Sequence, residues 1–112
     1  MNQDEIIRRN VAIALYMGWK RSKSGNWHHK EDCRTSDGVP AFHADGRLLM
    51  DALDEVQRMG GLSTEGYYED GEFHFSMEPG HQYDLCVKGR GKTLMDAIFA
   101  AASSYCLSQQ KD

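Results

Sequence analysis

The residues of this chain best suited to binding chemistry lie in the segment YDLCVKGRGKT, residues 83–93. Its second half alternates cations with glycines and ends in a hydroxyl, in the order Lys88, Gly89, Arg90, Gly91, Lys92 and Thr93. Glycines let a ligand approach the backbone, and N–H groups at a helix start bind anions with the help of nearby cations. The segment therefore predicts a phosphate-binding loop between a strand and a helix.

The same segment carries only the tail of the nucleotide-binding P-loop pattern. That pattern requires a further glycine ahead of its lysine, at the position that Cys86 occupies here. Thr93 and Asp96 also have the spacing of a capping box variant, which would occupy the Thr93 hydroxyl. We therefore expect the loop to bind a phosphate-bearing small molecule without hydrolysing it, with Trp27 or Tyr105 stacking on its ring.

A thiol and an imidazole form a second candidate site. If residues 79–81 connect two antiparallel strands, His74 lies opposite Cys86, with Asp84 on the same face. An adjacent imidazole lowers the pKa of a thiol and makes it a nucleophile. No residue of this strand pair supplies an oxyanion hole, so we predict no catalytic residues. A small enzyme that uses Cys86 and His74 is the alternative.

A third group of residues suggests zinc. His28, His29 and Cys33 are potential ligands that lie close together in the sequence. Adjacent histidines on a strand point to opposite faces, however, and a closed zinc site needs a full tetrahedral set of ligands. We therefore predict no metal site and no cofactor.

The first half of the chain predicts a helix and a short hairpin. Apolar residues at helical spacing predict a helix over residues 3–17 that ends at Gly18. The predicted buried stripe of this helix is Ile6, Ile7, Asn10, Val11, Ala14 and Leu15. Turn residues at 22–26 separate two tryptophan-led runs and predict a hairpin, and the polar residues 30–40 predict a surface loop.

The second half predicts a helix, a three-stranded meander and a final helix. Asp45 caps a helix whose buried stripe is Leu49, Ala52, Leu53 and Val56. Asp70-Gly71 predicts a tight hairpin, and a second turn leads to a strand in which Val87 lies opposite Phe73. The last helix begins at Thr93. This order predicts an α+β fold: a small antiparallel β-sheet, made of the three-stranded meander plus short N-terminal strands, layered with three α-helices.

Length and composition predict a single soluble domain over residues 1–112. Hydrophobic residues make up 40% of the chain and charged residues 27%, the balance of a globular protein. No apolar run could span a membrane, and the amino terminus lacks the pattern of a signal peptide. The three cysteines, Cys33, Cys86 and Cys106, include no CxxC pair and indicate reduced thiols. We therefore expect a cytoplasmic protein.

Charge is unevenly distributed along the chain. Residues 51–85 contain nine acidic residues and one basic residue, Arg58, a net charge of −8 against −4 for the whole chain. Without a broad basic surface, binding to nucleic acid is expected to be weak. Such an acidic block is usually a solvated face, and the alternative is a surface that meets a basic partner. The sequence leaves a homo-oligomer open.

Several segments together resemble the phage ABA-sandwich domain family. They are ALYMGW at residues 14–19, PAF at 40–42, the acidic helix at 45–59 and TLMDAIFAAA at 93–102. The resemblance extends over nearly the whole chain and implies a phage or prophage origin, a bacterial host cytoplasm and a helix/sheet/helix sandwich. The family supplies no established activity that could be assigned to residues.

Together, the predicted loop and the resemblance suggest a non-enzymatic viral accessory protein that acts by binding. In this interpretation it is a counter-defence protein that sequesters a phosphate-bearing nucleotide signal or inhibits a host defence protein. The alternative is a protein-interaction or assembly module without a ligand.

Overall fold

The structure, a computed structural model, describes residues 1–29, 35–79 and 86–110. Within these ranges the elements are α1 (Gln3–Tyr16), β1 (Trp19–Arg21), β2 (Trp27–His29), β3 (Thr35–Ser36), α2 (Gly46–Gly60), β4 (Leu62–Glu69), β5 (Glu72–Pro79), β6 (Val87–Gly91) and α3 (Leu94–Ser108). The strands form two antiparallel sheets, ordered β1-β2-β3 and β4-β5-β6. The predicted α+β class is confirmed, although the N-terminal strands form a sheet of their own and β3 lies where a loop was expected.

The last helix, α3, is the central element of the fold. It contacts β5, β6, α1 and α2. Its buried residues are Ala97, Ile98, Phe99, Ala101, Ala102, Ser103, Tyr105 and Cys106. A helix whose buried residues are not confined to one stripe packs against neighbours on more than one side. None of the helices in the described ranges combines the length and the apolar content needed to cross a membrane.

The bounds of α1 are confirmed, but its predicted buried stripe is partly wrong. Asn2 caps the helix by accepting a hydrogen bond from the Glu5 N–H at 2.8 Å. Ile7 and Leu15, both predicted to be buried, are 43% and 51% exposed. The buried residues of α1 are Asn10, Ala12, Ile13 and Ala14. Helical periodicity did not decide between two buried sides of α1. Ile13 and Ala14 follow Asn10 by three and four residues, so either of them can share its side of the helix.

The second helix agrees with its predicted pattern. The Asp45 carboxylate accepts a hydrogen bond from the Leu48 N–H at 3.1 Å, and Gly61 ends the helix with a φ of 61°. The buried residues are the predicted stripe of Leu49, Ala52, Leu53 and Val56. Local capping and apolar periodicity were sufficient to define this element.

Arg9 joins α1 to α3 through a part-buried guanidinium group. Its Nη1 donates to Ser103 Oγ at 2.8 Å, to Ser104 Oγ at 2.9 Å and to the Ala100 carbonyl at 3.3 Å. Its Nε donates to the Glu5 carboxylate at 2.8 Å, and the Arg9 side chain is 17% exposed. Because Ser103 is fully buried, water cannot readily replace these bonds. Arg9 therefore contributes to the α1–α3 interface as a hydrogen-bond donor.

Replacing Arg9 with methionine should remove these bonds and keep most of the aliphatic volume. We expect Arg9→Met to lower the free energy of unfolding by about 2 kcal/mol, the scale of bonds to a charged donor. Arg8→Met is the matched control, because Arg8 is 60% exposed and pairs with Glu5 at the surface, and it should cost less than about 0.5 kcal/mol. Urea unfolding followed by circular dichroism measures both, and equal losses would contradict the assigned role of Arg9.

A tight turn at Asp70 and Gly71 joins β4 to β5. Both residues have positive φ, 55° and 81°, the conformation of a two-residue turn that matches the twist of the strands. Glu69 consequently lies opposite Glu72, and the pairing continues along both strands to Leu62 and Pro79. The predicted hairpin is confirmed.

The strand pair β5–β6 has a register that differs from the predicted one. Phe73 lies opposite Gly91, whereas the prediction placed it opposite Val87. This is a shift of four residues along β6, and the predicted short connection at residues 79–81 is wrong. Because the shift is even, Val87 still lies on the same face of the sheet as the large apolar residues of β5. The cross-strand partners predicted at residues 83–85 lie outside the described residues.

Contact with α3 accounts for this register. At Gly89 the strand lies so close to α3 that a Cβ atom would overlap the Ala97 carbonyl oxygen and the Ala101 amide nitrogen. Gly91 is similarly close to Asp96. A register that turns both glycines toward α3 lets the helix pack directly on the backbone of β6. We call this side of the β4-β5-β6 sheet the inner face.

An added methyl group at Gly89 should therefore separate α3 from the sheet. We expect Gly89→Ala to lower the free energy of unfolding by about 3 kcal/mol, since its clash is with helix backbone that cannot yield locally. Gly38→Ala is the control, because open space surrounds Gly38, and a surface change of this kind should cost less than about 0.5 kcal/mol. Thermal and urea unfolding measure the loss of stability in each variant. A small loss for Gly89→Ala would contradict the close contact between α3 and β6.

Candidate functional site

The predicted phosphate-binding loop is for the most part a strand. Residues Val87–Gly91 form β6, and α3 begins at Leu94, so the connection between them is Lys92 and Thr93. Gly89 is buried, and its Cα side faces the backbone of α3 with no space left for a ligand. The prediction of a glycine loop was wrong because alternating cations and glycines also fit a strand, with the cations on the exposed face and the glycines on the buried face.

The predicted cations are distributed along the strand instead of surrounding one point. Lys88 and Arg90 project from the side of β6 opposite the inner face, and both are exposed. Arg90 Nε lies 4.0 Å from the Glu72 carboxylate. The Thr93 Oγ1 accepts a hydrogen bond from the Asp96 N–H at 3.1 Å, so Thr93 is a helix cap, as the capping pattern predicted. This arrangement lacks the convergence that a single phosphate would need.

The predicted stacking residues are buried. Trp27 is 7% exposed and Tyr105 is 6% exposed, and both belong to the hydrophobic core. Strand alternation in β2 turns Trp27 and His29 inward and His28 outward. Trp27 was predicted to be a ligand-binding residue, but its burial leaves its ring little surface for a ligand to contact.

The two histidines considered as zinc ligands lie on opposite sides of β2. His29 is buried, with Nε2 3.0 Å from the Met17 carbonyl and its ring edge-on to Trp19. His28 is on the exposed side of the same strand, and Cys33 lies outside the described residues. Among residues 1–29, 35–79 and 86–110, no three histidine, cysteine or acidic side chains are placed to hold a metal ion.

His74 and Cys86 do not form the predicted pair. His74 lies opposite Arg90, and Cys86 precedes Arg90 by four residues, roughly 13 Å along an extended strand. Asp84 lies outside the described residues. Both side chains line one shallow depression, but a hydrogen-bonded thiol–imidazole pair needs direct contact. The register shift of β6 is the reason for the separation.

The two cysteines that the structure describes differ in accessibility. Cys106 is 1% exposed, and burial raises the pKa of its thiol to about 12. Cys86 is partly exposed at the start of β6. A buried and protonated thiol is a poor nucleophile.

In a Cys33→Ser background, we therefore expect iodoacetamide to alkylate Cys86 and spare Cys106 in the folded protein. In urea both thiols should react, and mass spectrometry of peptides distinguishes them. Labelling of Cys106 without denaturant would contradict its burial. A Cys86 that reacts much faster in the folded chain than in urea would favour the enzyme alternative.

The second sheet presents an open side that we call the outer face. It carries Ser63, Glu65, Tyr67 and Glu69 on β4, Glu72, His74, Ser76 and Glu78 on β5, and Lys88 and Arg90 on β6. Two helices contact the inner face: α3 packs on Gly89 and Gly91, and α2 donates a 3.1 Å hydrogen bond from Gln57 to Thr64. Antiparallel sheets commonly keep one face solvated in this way.

An aromatic stack occupies the middle of the outer face. The rings of Tyr67 and His74 are parallel within 6°, with centroids 4.9 Å apart, and Tyr67 is 48% exposed. Their cross-strand pairing brings them together, and it follows from the two-residue turn at Asp70-Gly71. The sequence contained this signal, since counting back from that turn places Tyr67 opposite His74.

Charge on the outer face is graded from one edge to the other. The four glutamates lie on β4 and β5, and the two cations lie on β6, a net charge of −2 for the face. A depression of about 260 Å³ lies beside the aromatic stack, lined by residues that include Glu65, Tyr67, His74 and Lys88. Part of the negative charge of residues 51–85 therefore lies around the exposed ring of Tyr67.

A second depression, which we call the amino-terminal cleft, was not foreseen. It lies where the start of α1 meets the end of β6 and the first turns of α3, and its volume is about 310 Å³. Its lining includes Ile6, His43, Arg90, Asp96 and Phe99. No local pattern could have predicted it, because these residues come from distant parts of the chain.

Comparisons with models of known protein families, with curated proteins and with solved structures found no match to this chain. The resemblance to the phage ABA-sandwich family therefore stays a prediction made from short motifs.

Proposed function

We propose that this protein is a non-catalytic binding protein whose outer face binds an arginine-containing basic segment of a partner protein. The observation that carries the proposal is the exposed Tyr67–His74 stack, set among glutamates in the middle of an open sheet face.

The stack suits a guanidinium group. Arginine stacks on exposed aromatic rings through cation–π and planar contacts. Glu65 and Glu69 flank Tyr67 on the same face of β4, at positions from which a carboxylate could receive the two parallel N–H bonds of an arginine. The combination of a flat ring and adjacent carboxylates favours arginine over lysine.

The cations of β6 would orient the partner. Lys88 and Arg90 lie across the sheet from Glu65 and Tyr67, with β5 between them. A basic segment would be repelled from this edge and attracted to the β4 edge, which restricts it to one side of the face. Glu69 and Glu72 carry like charges and lie directly opposite each other beside the turn. A bound cation would reduce the repulsion between their carboxylates.

This proposal is favoured over a phosphate-bearing ligand held by Lys88, Arg90 and Lys92, because Lys88 and Arg90 are spread along β6 and the glycines between the cations pack against α3. If the phage resemblance is correct, the partner is a bacterial host protein and the biological effect is counter-defence. That step depends on the resemblance alone.

Arginine-glycine, lysine-glycine and glutamate-glycine repeat peptides, each fluorescently labelled, provide a direct test by anisotropy. We expect the arginine peptide to bind most tightly and the glutamate peptide not to bind. Tyr67→Ala should weaken binding of the arginine peptide by about tenfold and remove its advantage over lysine.

A pair of double variants separates a specific surface from general acidity. Glu65→Lys with Glu69→Lys reverses charge on the outer face, and Asp51→Lys with Asp54→Lys makes the same charge change on exposed positions of α2. We expect the first double variant to lose peptide binding and the second to keep most of it. Equal losses would show that net charge alone attracts the peptide, and the proposed surface would be wrong.

A further inference from the structure

The first strand of the second sheet, β4, has an edge that is open to a further strand. β5 pairs with one side of β4, and no other strand in the described ranges pairs with its second side. Residues 65–69 of β4 are all exposed. They include Tyr68, which is 63% exposed although its side chain lies on the inner face. An exposed edge of this length presents backbone N–H and C=O groups to which another chain can bind.

The turn at Asp70-Gly71 determines which backbone groups of β4 face this edge. Glu69 and Glu72 flank the turn, and the pair that flanks a two-residue turn is a hydrogen-bonded one. Hydrogen-bonded and non-hydrogen-bonded pairs alternate along an antiparallel ladder. Gly66 and Tyr68 therefore direct their N–H and C=O groups away from β5. Within the described ranges these groups have no backbone partner.

The side chains beside this edge select the kind of strand that can bind there. Glu65, Tyr67 and Glu69 lie on the outer face at every second residue. A second copy of β4, paired antiparallel about Tyr67, would place Glu65 opposite Glu69, and like charges opposite each other are destabilising. An extended segment with a cation at every second residue would instead place opposite charges on a strand about 4.8 Å away.

We infer that the basic segment of the partner binds as an additional antiparallel strand along β4, with an arginine at every second residue. This inference rests on the proposed function and specifies how the same partner binds. Gly66 and Tyr68 form the backbone hydrogen bonds to the segment. The arginines lie on the outer face, beside the Tyr67 ring and the glutamates that flank it. Strand addition of this kind gains affinity from the backbone and specificity from alternate side chains.

This arrangement determines the direction of each N–H group of the bound segment. Glu65, Tyr67 and Glu69 direct their backbone groups toward β5, so the residues opposite them have N–H groups that point away from β4. Those residues are the arginines. The residues between the arginines lie opposite Gly66 and Tyr68, and their N–H groups donate to β4.

Two peptides of the same length and composition test the spacing of the arginines. A peptide that alternates arginine with threonine places every arginine on one face of a strand, whereas a repeat of two arginines and two threonines divides them between both faces. We expect the alternating peptide to bind about tenfold more tightly in fluorescence anisotropy. Equal affinity would contradict recognition at strand spacing.

Backbone methylation of the alternating peptide tests strand addition on the unmodified protein. Methylated threonine nitrogens lose the donors that face β4, and methylated arginine nitrogens are the matched control, because their donors point away. We expect threonine methylation to weaken binding at least about tenfold and arginine methylation by less than about threefold. Unless the threonine positions are the more sensitive, the inferred strand is wrong.

A proline at Gly66 tests the same bonds from the side of the protein. Gly66→Pro removes an N–H group that faces the open edge, where proline is tolerated. We expect the variant to bind the alternating peptide more weakly and to discriminate less between the unmethylated and the threonine-methylated peptide. Circular dichroism shows whether the variant is folded. Full discrimination by a folded Gly66→Pro would contradict the assignment of this N–H group.

The outcomes separate this inference from the proposed function. If no arginine peptide binds, or if Tyr67→Ala has no effect, the proposed function is wrong and the inference fails with it. If the peptides bind through Tyr67 but methylation at threonine and arginine has the same effect, only the strand addition is wrong. A dimer in analytical ultracentrifugation that Gly66→Pro converts to a monomer would show that a second copy occupies the edge, which would also overturn the inference.

Discussion

The packing of α3 against the backbone of β6 is the constraint on which the rest of the structure depends. At Gly89 the helix lies where any side chain would meet its carbonyl and amide groups. Because α3 also contacts α1 and α2, its distance from the sheet determines where both of those helices can pack. The bonds from Arg9 to Ser103 and Ser104 depend on that position too. A small domain with a limited core has little capacity to absorb a displacement of its central helix.

The same contact determines what the residues of β6 can do. With Gly89 and Gly91 facing α3, alternation along the strand directs Lys88 and Arg90 to the opposite side. There they join the glutamates of β4 and β5 and the Tyr67–His74 stack. The amino-terminal cleft forms at the other end of this packing, where β6 stops and α3 begins. The placement of the cations on the outer face and the position of the cleft are therefore both consequences of how one helix lies on one strand.

Local signals predicted the elements well, and they failed where a choice between faces or registers depended on distant residues. Asp45, Thr93 and the Asp70-Gly71 turn were identified correctly because capping and turn geometry involve only neighbouring residues. The buried side of α1 was misjudged at Ile7 and Leu15, since two apolar stripes overlapped. The predicted pairing of His74 with Cys86 was wrong because the sequence does not define the length of the connection between the two strands, and that length sets their register. The same holds for the candidate sites. The Tyr67–His74 pair could be predicted from the Asp70-Gly71 turn, whereas the cleft could not, because its residues come from distant parts of the chain.

The sequence by itself determined the α+β class, the bounds of the first two helices, the start of the last helix and the alternation that separates the charged side of the second sheet from its apolar side. These features depend on periodicity, caps and turns, which act over a few residues. The tertiary structure decided that the glycines between the cations serve helix packing, that Trp27 is buried, and that Arg90 and Asp96 share a cleft with His43. These outcomes depend on close contact between segments far apart in the chain. Sequence spacing carries no information about which of several sterically compatible partners will occupy a given face.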